Sequence, residues 1–168
     1  MQGGRIGIER VQQQEGGELH MSFDSKKYEL VLDDSIAFYG RVLYRIRALK
    51  AFRDVGSSAL GGYIESEDNL SQDGDCWVYP GAMVFDHAQV LEDAMIYGSA
   101  KVFGYAIVQG SARVYNCAKI YGSAHIGDGA WVSGYVRVCG SVQILGDSRV
   151  LIASTSGMIC ESGQEEEL

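Results

Sequence analysis

This chain has little proline, little histidine and, beyond residue 60, few cations. A single proline stands beside 22 glycines in 168 residues. Glycine without proline excludes a collagen-like or proline-rich linker composition and points to many tight turns in an ordered array. No apolar run approaches the roughly 18 residues of a membrane helix, so no membrane association is expected. The first twenty residues, MQGGRIGIERVQQQEGGELH, lack the apolar core and cleavage site of a secretory signal, which makes the cytoplasm the expected location. Four cysteines, at 76, 117, 139 and 160, show no CxxC pair and no short metal-type spacing. They read as reduced thiols that serve as small apolar residues. Residues 1–60 hold nine Lys/Arg against eight Asp/Glu, whereas residues 61–168 hold five against fourteen, for a net charge of −8. A repelling body of this kind argues against direct binding to nucleic acid or anionic lipid.

What the chain does have is a period of six. From Val78, every sixth residue is Val or Ile, through Val84, Val90, Ile96, Val102, Val108, Val114, Ile120, Ile126, Val132, Val138, Ile144 and Val150. Two residues earlier lies a small one: Cys76, then Ala at 82, 88, 94, 100, 106, 112, 118, 124 and 130, then Val136, Val142 and Ser148. Two residues later a turn former recurs, usually glycine, with Asp86, Asn116 and Asp128 among the exceptions. An inward pair at i and i+2 is the period of a strand. Repetition at six with a residue tolerant of positive φ means a short strand followed by a corner. A helix would rotate such a pattern around its whole circumference and bury no face.

A second period counts the sides. The residue after each Val/Ile runs Tyr79, Phe85, Leu91, then Tyr97, Phe103, Gln109, then Tyr115, Tyr121, Gly127. Aromatics fill two places in three, so one coil is three hexads, and like residues stack at about the 4.8 Å of paired strands. Tyr79, Tyr97 and Tyr115 form one column and Phe85, Phe103 and Tyr121 another. Strand alternation turns both outward, either as ladders that stiffen the coils or as an interaction surface, since aromatics concentrate at interface cores.

Ahead of the repeat, Lys27–Leu32 and Ile36–Leu49 read as two strands turning at Asp33-Asp34. Arg41, Arg45 and Arg47, then Lys50 and Arg53, make the second strand and its exit basic. Two readings stand: a lid over the open end of the prism, which a solenoid needs, or a basic contact surface for a phosphate or acidic partner. The organisation expected is an extension at 1–20, disordered, with Met21 as the natural start. A β-hairpin cap follows at 21–55, a capping segment at 56–76, the β-helix at 77–152 and an acidic tail at 153–168, mobile from Glu161.

The hexads resemble the hexapeptide-repeat family, whose members are left-handed parallel β-helices. The stretch Leu60-Gly-Gly-Tyr-Ile-Glu-Ser-Glu-Asp-Asn-Leu-Ser-Gln-Asp-Gly-Asp-Cys-Trp-Val-Tyr79 is similar to the opening of the β-helix in a bacterial and phage-encoded, acetyltransferase-like group. The resemblance implies an all-β fold: a single-stranded left-handed parallel β-helix, three hexads per coil, with an N-terminal β-hairpin cap. It also raises acyl transfer from acetyl-CoA by a histidine base, and carbonic-anhydrase relatives raise zinc. Fold alone does not fix chemistry. The array admits no protruding loop between 78 and 150. His20 lies in the N-terminal stretch. His87 and His125, the two catalytic candidates, fall at different positions of the coil and share no stack, so no metal and no cofactor are expected. Asp86, Glu92 and Asp93 are the carboxylates that would orient a His87 base. The favoured expectation is a non-enzymatic, homo-oligomeric scaffold that binds a host or viral protein, encoded by a phage or mobile element and acting in the host cytoplasm, by inhibition if at all. An acyl-CoA-dependent transferase is the alternative, and a carbohydrate-binding or tail-associated structural element the third.

Overall fold

The computed structural model describes residues 26–153 and 157–160. The expected extension at 1–20, Met21, His20 and most of the acidic tail lie outside the described residues. The described residues are all-β, with one short 3-10 turn at Glu67–Asn69. Three parallel sheets form the sides of a β-helix. The first face holds Trp77–Val78, Met95–Ile96, Arg113–Val114, Trp131–Gly134 and Arg149–Ile152. The second holds Met83–Val84, Lys101–Val102, Lys119–Ile120, Arg137–Cys139 and Met158–Cys160. The third holds Gln89–Val90, Ile107–Val108, His125–Ile126 and Gln143–Ile144. Strand partners between Trp77 and Ile152 sit three hexads apart, as in Arg113↔Trp131 and Lys101↔Lys119.

The hexad register explains the interior. Every Ala from 82 to 130 in the small position is fully buried, as is every Val or Ile from Val78 to Val138 in the large one. Alternate small and branched side chains fill a narrow prism at crystal-like density. Corners take positive φ, and Gly110 shows why glycine recurs there: at φ +66°, an added Cβ would lie 2.7 Å from the backbone N and O of Asp128 in the next coil. Asp86, Glu92, Asn116 and Asp128 adopt the same region without glycine, at φ between +53° and +63°.

The β-helix is longer than its hexads advertise. Strand β1 (Tyr28–Phe38), strand β2 (Arg41–Ala48) and strand β3 (Leu60–Ile64) extend the second face, β1 and β2 antiparallel and β3 joining the parallel stack. Ile64 pairs with Val84 and Leu70 with Val90, so residues 60–78 already form a coil rather than a separate capping segment. Its register is disguised because the step from Leu70 to Val78 is longer than a hexad. At the other end Ile159 pairs with Val138 after an enlarged coil, so the helix passes 152 and takes in part of the stretch assigned to the tail. The hairpin turns at Tyr39-Gly40, φ +48° and +76°, and not at Asp33-Asp34. Two successive positive φ values suit a tight hairpin; the aspartates instead sit in a register shift of β1.

The hairpin is a lid. Tyr28, Ile46, Ala48 and Val55 join the prism's hydrophobic cluster, and Trp77 meets the Tyr28 and Phe52 rings edge-on at 6.1 and 5.3 Å. The Tyr28 hydroxyl donates to the Leu70 carbonyl at 2.6 Å. Lys27, 1% exposed, donates through Nζ to the carbonyls of Cys76 at 2.9 Å and Gly74 at 3.1 Å, which is how a buried ammonium is satisfied. The reading of four reduced cysteines needs correction. Cys139 and Cys160 are register partners on adjacent strands, their Cα atoms 4.7 Å apart, and form a disulfide, while Cys76 and Cys117 are free. No helix among the described residues is long and apolar enough to cross a membrane.

Candidate functional site: a histidine cleft and an aromatic face

His87 lies at the corner between the second and third faces, on the rim of a cleft of about 420 Å³ lined by Arg41, Glu65, Ser66, Asp68, Asp86 and Gln89. Its ring stacks on Tyr105 of the next coil, centroids 4.8 Å apart, as the three-hexad period predicts. The carboxylates expected to orient it are engaged elsewhere. Asp86 accepts from Arg41 Nη2 at 2.6 Å, Glu92 from the Gly110 N–H at 2.8 Å, and Asp93 from the Asp75 N–H at 3.1 Å. Arg41 also donates to both oxygens of Glu65 at 3.0 Å, and Glu65 accepts the Asp86 N–H at 2.7 Å. The cleft is therefore a closed ion-pair network with an exposed imidazole at its edge, lacking the base-and-orienter geometry of proton transfer.

His125 stands on the third face between Ile107 and Gln143. Its Nε2 is buried without a hydrogen-bond partner, and the ring passes so close to Gly127 that a Cβ there would lie 3.4 Å from Nε2. The two histidines occupy different parts of the coil, and no group of three metal-ligating side chains occurs among the described residues.

The basic stretch of the hairpin is largely neutralised within the chain. Arg45 donates to Asp34 Oδ2 at 3.0 Å, the Gly61 carbonyl at 3.1 Å and the Tyr63 hydroxyl at 2.9 Å. Arg47 pairs with Glu29, Arg41 is bound as above, and Arg53 reaches the Asp93 carbonyl at 3.4 Å. Only Lys50 of the five has no such partner among the described residues. Arg41, Arg45 and Arg53 thus tie the hairpin and its exit to the coils, and Arg47 ties the two strands of the hairpin to each other.

The aromatic columns divide. Phe85 and Phe103 are 3% and 8% exposed, covered by Ile36, Phe38 and Leu43 of the hairpin. Phe38 meets Phe85 at 5.5 Å, and Phe85, Phe103 and Tyr121 stack in parallel at 5.0 and 4.9 Å. This column is a second core, and its two phenylalanines are unavailable as an interaction surface. The tyrosine column remains half-exposed. Tyr97 and Tyr115 stack at 5.1 Å, Tyr79 meets Tyr97 edge-on at 5.8 Å, and the Tyr79 hydroxyl donates to Asp54 at 2.7 Å. Burial and then the Asp54 carboxylate push the Tyr79 phenol well above its ordinary range. Beside this column Trp131 is sandwiched between the guanidinium groups of Arg113 and Arg149, at 4.8 and 4.7 Å. The sequence signal for that sandwich is the residue before each Val/Ile, read with the same three-hexad period.

No family model matches the chain, and no curated protein shows a significant match to it.

Proposed function

We propose that this chain is a non-enzymatic, homo-oligomeric interaction protein whose β-helix holds a rigid surface for a protein partner. The observation that carries the reading is the first face, where Tyr79, Tyr97 and Tyr115 run beside the Arg113–Trp131–Arg149 sandwich. Trp, Tyr and Arg are the residues in which binding energy concentrates at protein interfaces. Here they are held coil upon coil by backbone ladders, so little side-chain entropy is lost on contact. Light scattering on the order of 10 µM tests it. The wild type should exceed monomer mass, and Tyr97→Ser/Tyr115→Ser should fall to the monomer with its far-UV spectrum unchanged. A wild type that stays monomeric removes the homo-oligomer.

The alternative, an acyl-CoA-dependent transferase, has one observation in its favour. His125 Nε2 is buried and lacks a hydrogen-bond partner, a state that costs stability unless a ligand or second chain completes it. Acetyl-CoA turnover abolished by His125→Ala would install that reading in place of the first.

A further inference from the structure

The coils from Met95 onward are electrically one-sided. Between residues 95 and 151 the chain carries five cations, Lys101, Arg113, Lys119, Arg137 and Arg149, against two carboxylates, Asp128 and Asp147. Every cation precedes an inward residue on the first or second face, and the third face has none. Parallel register sets Lys119 directly between Lys101 and Arg137. Both carboxylates lie at the far corner, between the third and first faces, where Asp128 accepts the Gly146 N–H at 3.0 Å and so closes a turn. None of the five is in an ion pair among the described residues; Arg113 and Arg149 lie on the Trp131 ring and Lys101 over the Phe38 ring, which leaves Lys119 and Arg137 as the two with neither an ion pair nor a ring contact.

Like charges directly opposite on neighbouring strands destabilise a sheet. Burial, with the added repulsion of Arg137 and Lys101, already pushes the Lys119 pKa down. Among the described residues no carboxylate forms an ion pair with this column. Between the two sets of cations, along the corner of the first and second faces, runs a groove of about 530 Å³ bordered by Ser99, Asn116, Cys117 and Tyr135.

We propose that this groove and the cations flanking it dock an extended, carboxylate-rich segment of a protein partner. The inference rests on the interaction function above and names the chemistry of its partner. Arginine is suited to the role because a guanidinium lying on a ring keeps its edge N–H groups free, and these match a carboxylate in paired geometry. A nucleic acid strand offers the same charge but needs open ring faces on which to stack. Both faces of Trp131 are taken by arginine and one face of Tyr97 by Tyr115, leaving Tyr135, 53% exposed, as the open ring of the groove.

Fluorescence anisotropy with a labelled oligoglutamate peptide tests the proposal, with labelled oligothymidylate of equal charge in parallel. Oligoglutamate should bind saturably at low ionic strength and weaken as salt screens the contact. Lys119→Gln/Arg137→Gln should weaken it at least tenfold without lowering the melting temperature, while Lys26→Gln leaves it unchanged. Four outcomes overturn the proposal: no binding of oligoglutamate by the wild type, undiminished binding by the double variant, tighter binding of oligothymidylate, or salt-sensitive self-association that the double variant loses while oligoglutamate is ignored. The last would make a second copy of the chain the occupant. Scattering of the tyrosine variant reads the aromatic assembly and anisotropy reads the cations, so either idea can fail alone.

Discussion

Replacing Val108 by Asp puts one charge where the prism has no means to answer it. Val108 is fully buried, with Val90 below and Ile126 above in the third sheet. Its backbone carbonyl is already taken by the Leu91 N–H at 2.9 Å. Aspartate is no larger than valine, so overpacking is excluded and the cost is one of solvation. Burial raises a carboxyl pKa by about 3–5 units. From an ordinary value near 4, keeping the group neutral at pH 7 costs about 4 kcal/mol, and the unmade hydrogen bonds of the neutral acid cost about 1–3 kcal/mol more. That is a large part of a typical domain stability of roughly 5–15 kcal/mol. The sign follows from the raised folded-state pKa: the deficit is smallest below about pH 4 and grows with pH until the folded pKa is reached. Urea unfolding of wild type, Val108→Asp and Val108→Thr at pH 4.5 and pH 7 measures it as a difference. A variant that unfolds with the wild type, or a deficit equal at both pH values, would refute the hexad interior.

Three further outcomes are expected. Phe103→Ala should cost about 3 kcal/mol in urea because the ring is buried beneath the hairpin; a cost below about 1 kcal/mol would return Phe103 to the solvated surface. Iodoacetamide at pH 8 should alkylate Cys117 and spare Cys76, since burial pushes the Cys76 thiol up and keeps it protonated; equal labelling, read by mass spectrometry, contradicts the cap. Reducing the Cys139–Cys160 bond, whose partners have a sequence separation of 21, should lower stability by up to about 3 kcal/mol, and Cys160→Ser should reproduce the loss.

The coils were legible because a solenoid repeats its instructions: thirteen Val/Ile positions with their small partners and turn residues determine strand and corner, and the aromatics that follow them count the sides. What repetition could not convey is what happens once. Strand alternation turns Phe85 and Phe103 away from the prism, but it does not say that Phe38 and Leu43 will cover them. Arg41 of β2 announces charge, whereas its partners Glu65 and Asp86 lie far along the chain, on the coils beneath the lid. Asp33-Asp34 has turn composition, yet Tyr39-Gly40 makes the reversal, a choice set by the pairing of Phe38 with Arg41. The disulfide escaped because the last coil is longer than three hexads, which breaks the period that would have aligned its cysteines. The cation columns follow the same three-hexad period as the aromatics, at the residue before each Val/Ile.

The three-hexad step makes the length of this prism a free variable, although its faces are not. Each coil gives its hydrogen bonds to the coil above and the coil below, as Tyr97 N–H does to Val114 O and Lys101 N–H to Ala118 O. Excising residues 105–122 would join two equivalent corners, Gly104 and Ser123, and return a shorter prism with its lid and clasp intact. Excising a single hexad would keep every Val and Ile inward yet hand each outward residue to the neighbouring side. Residues of the second face would fall on the first, so that Phe103 or Tyr121 would join the tyrosine column and a lysine would sit over Trp77 or Met95. An insertion or deletion in this gene is thus read modulo three hexads: whole coils change reach, and single hexads scramble the surface while sparing the core.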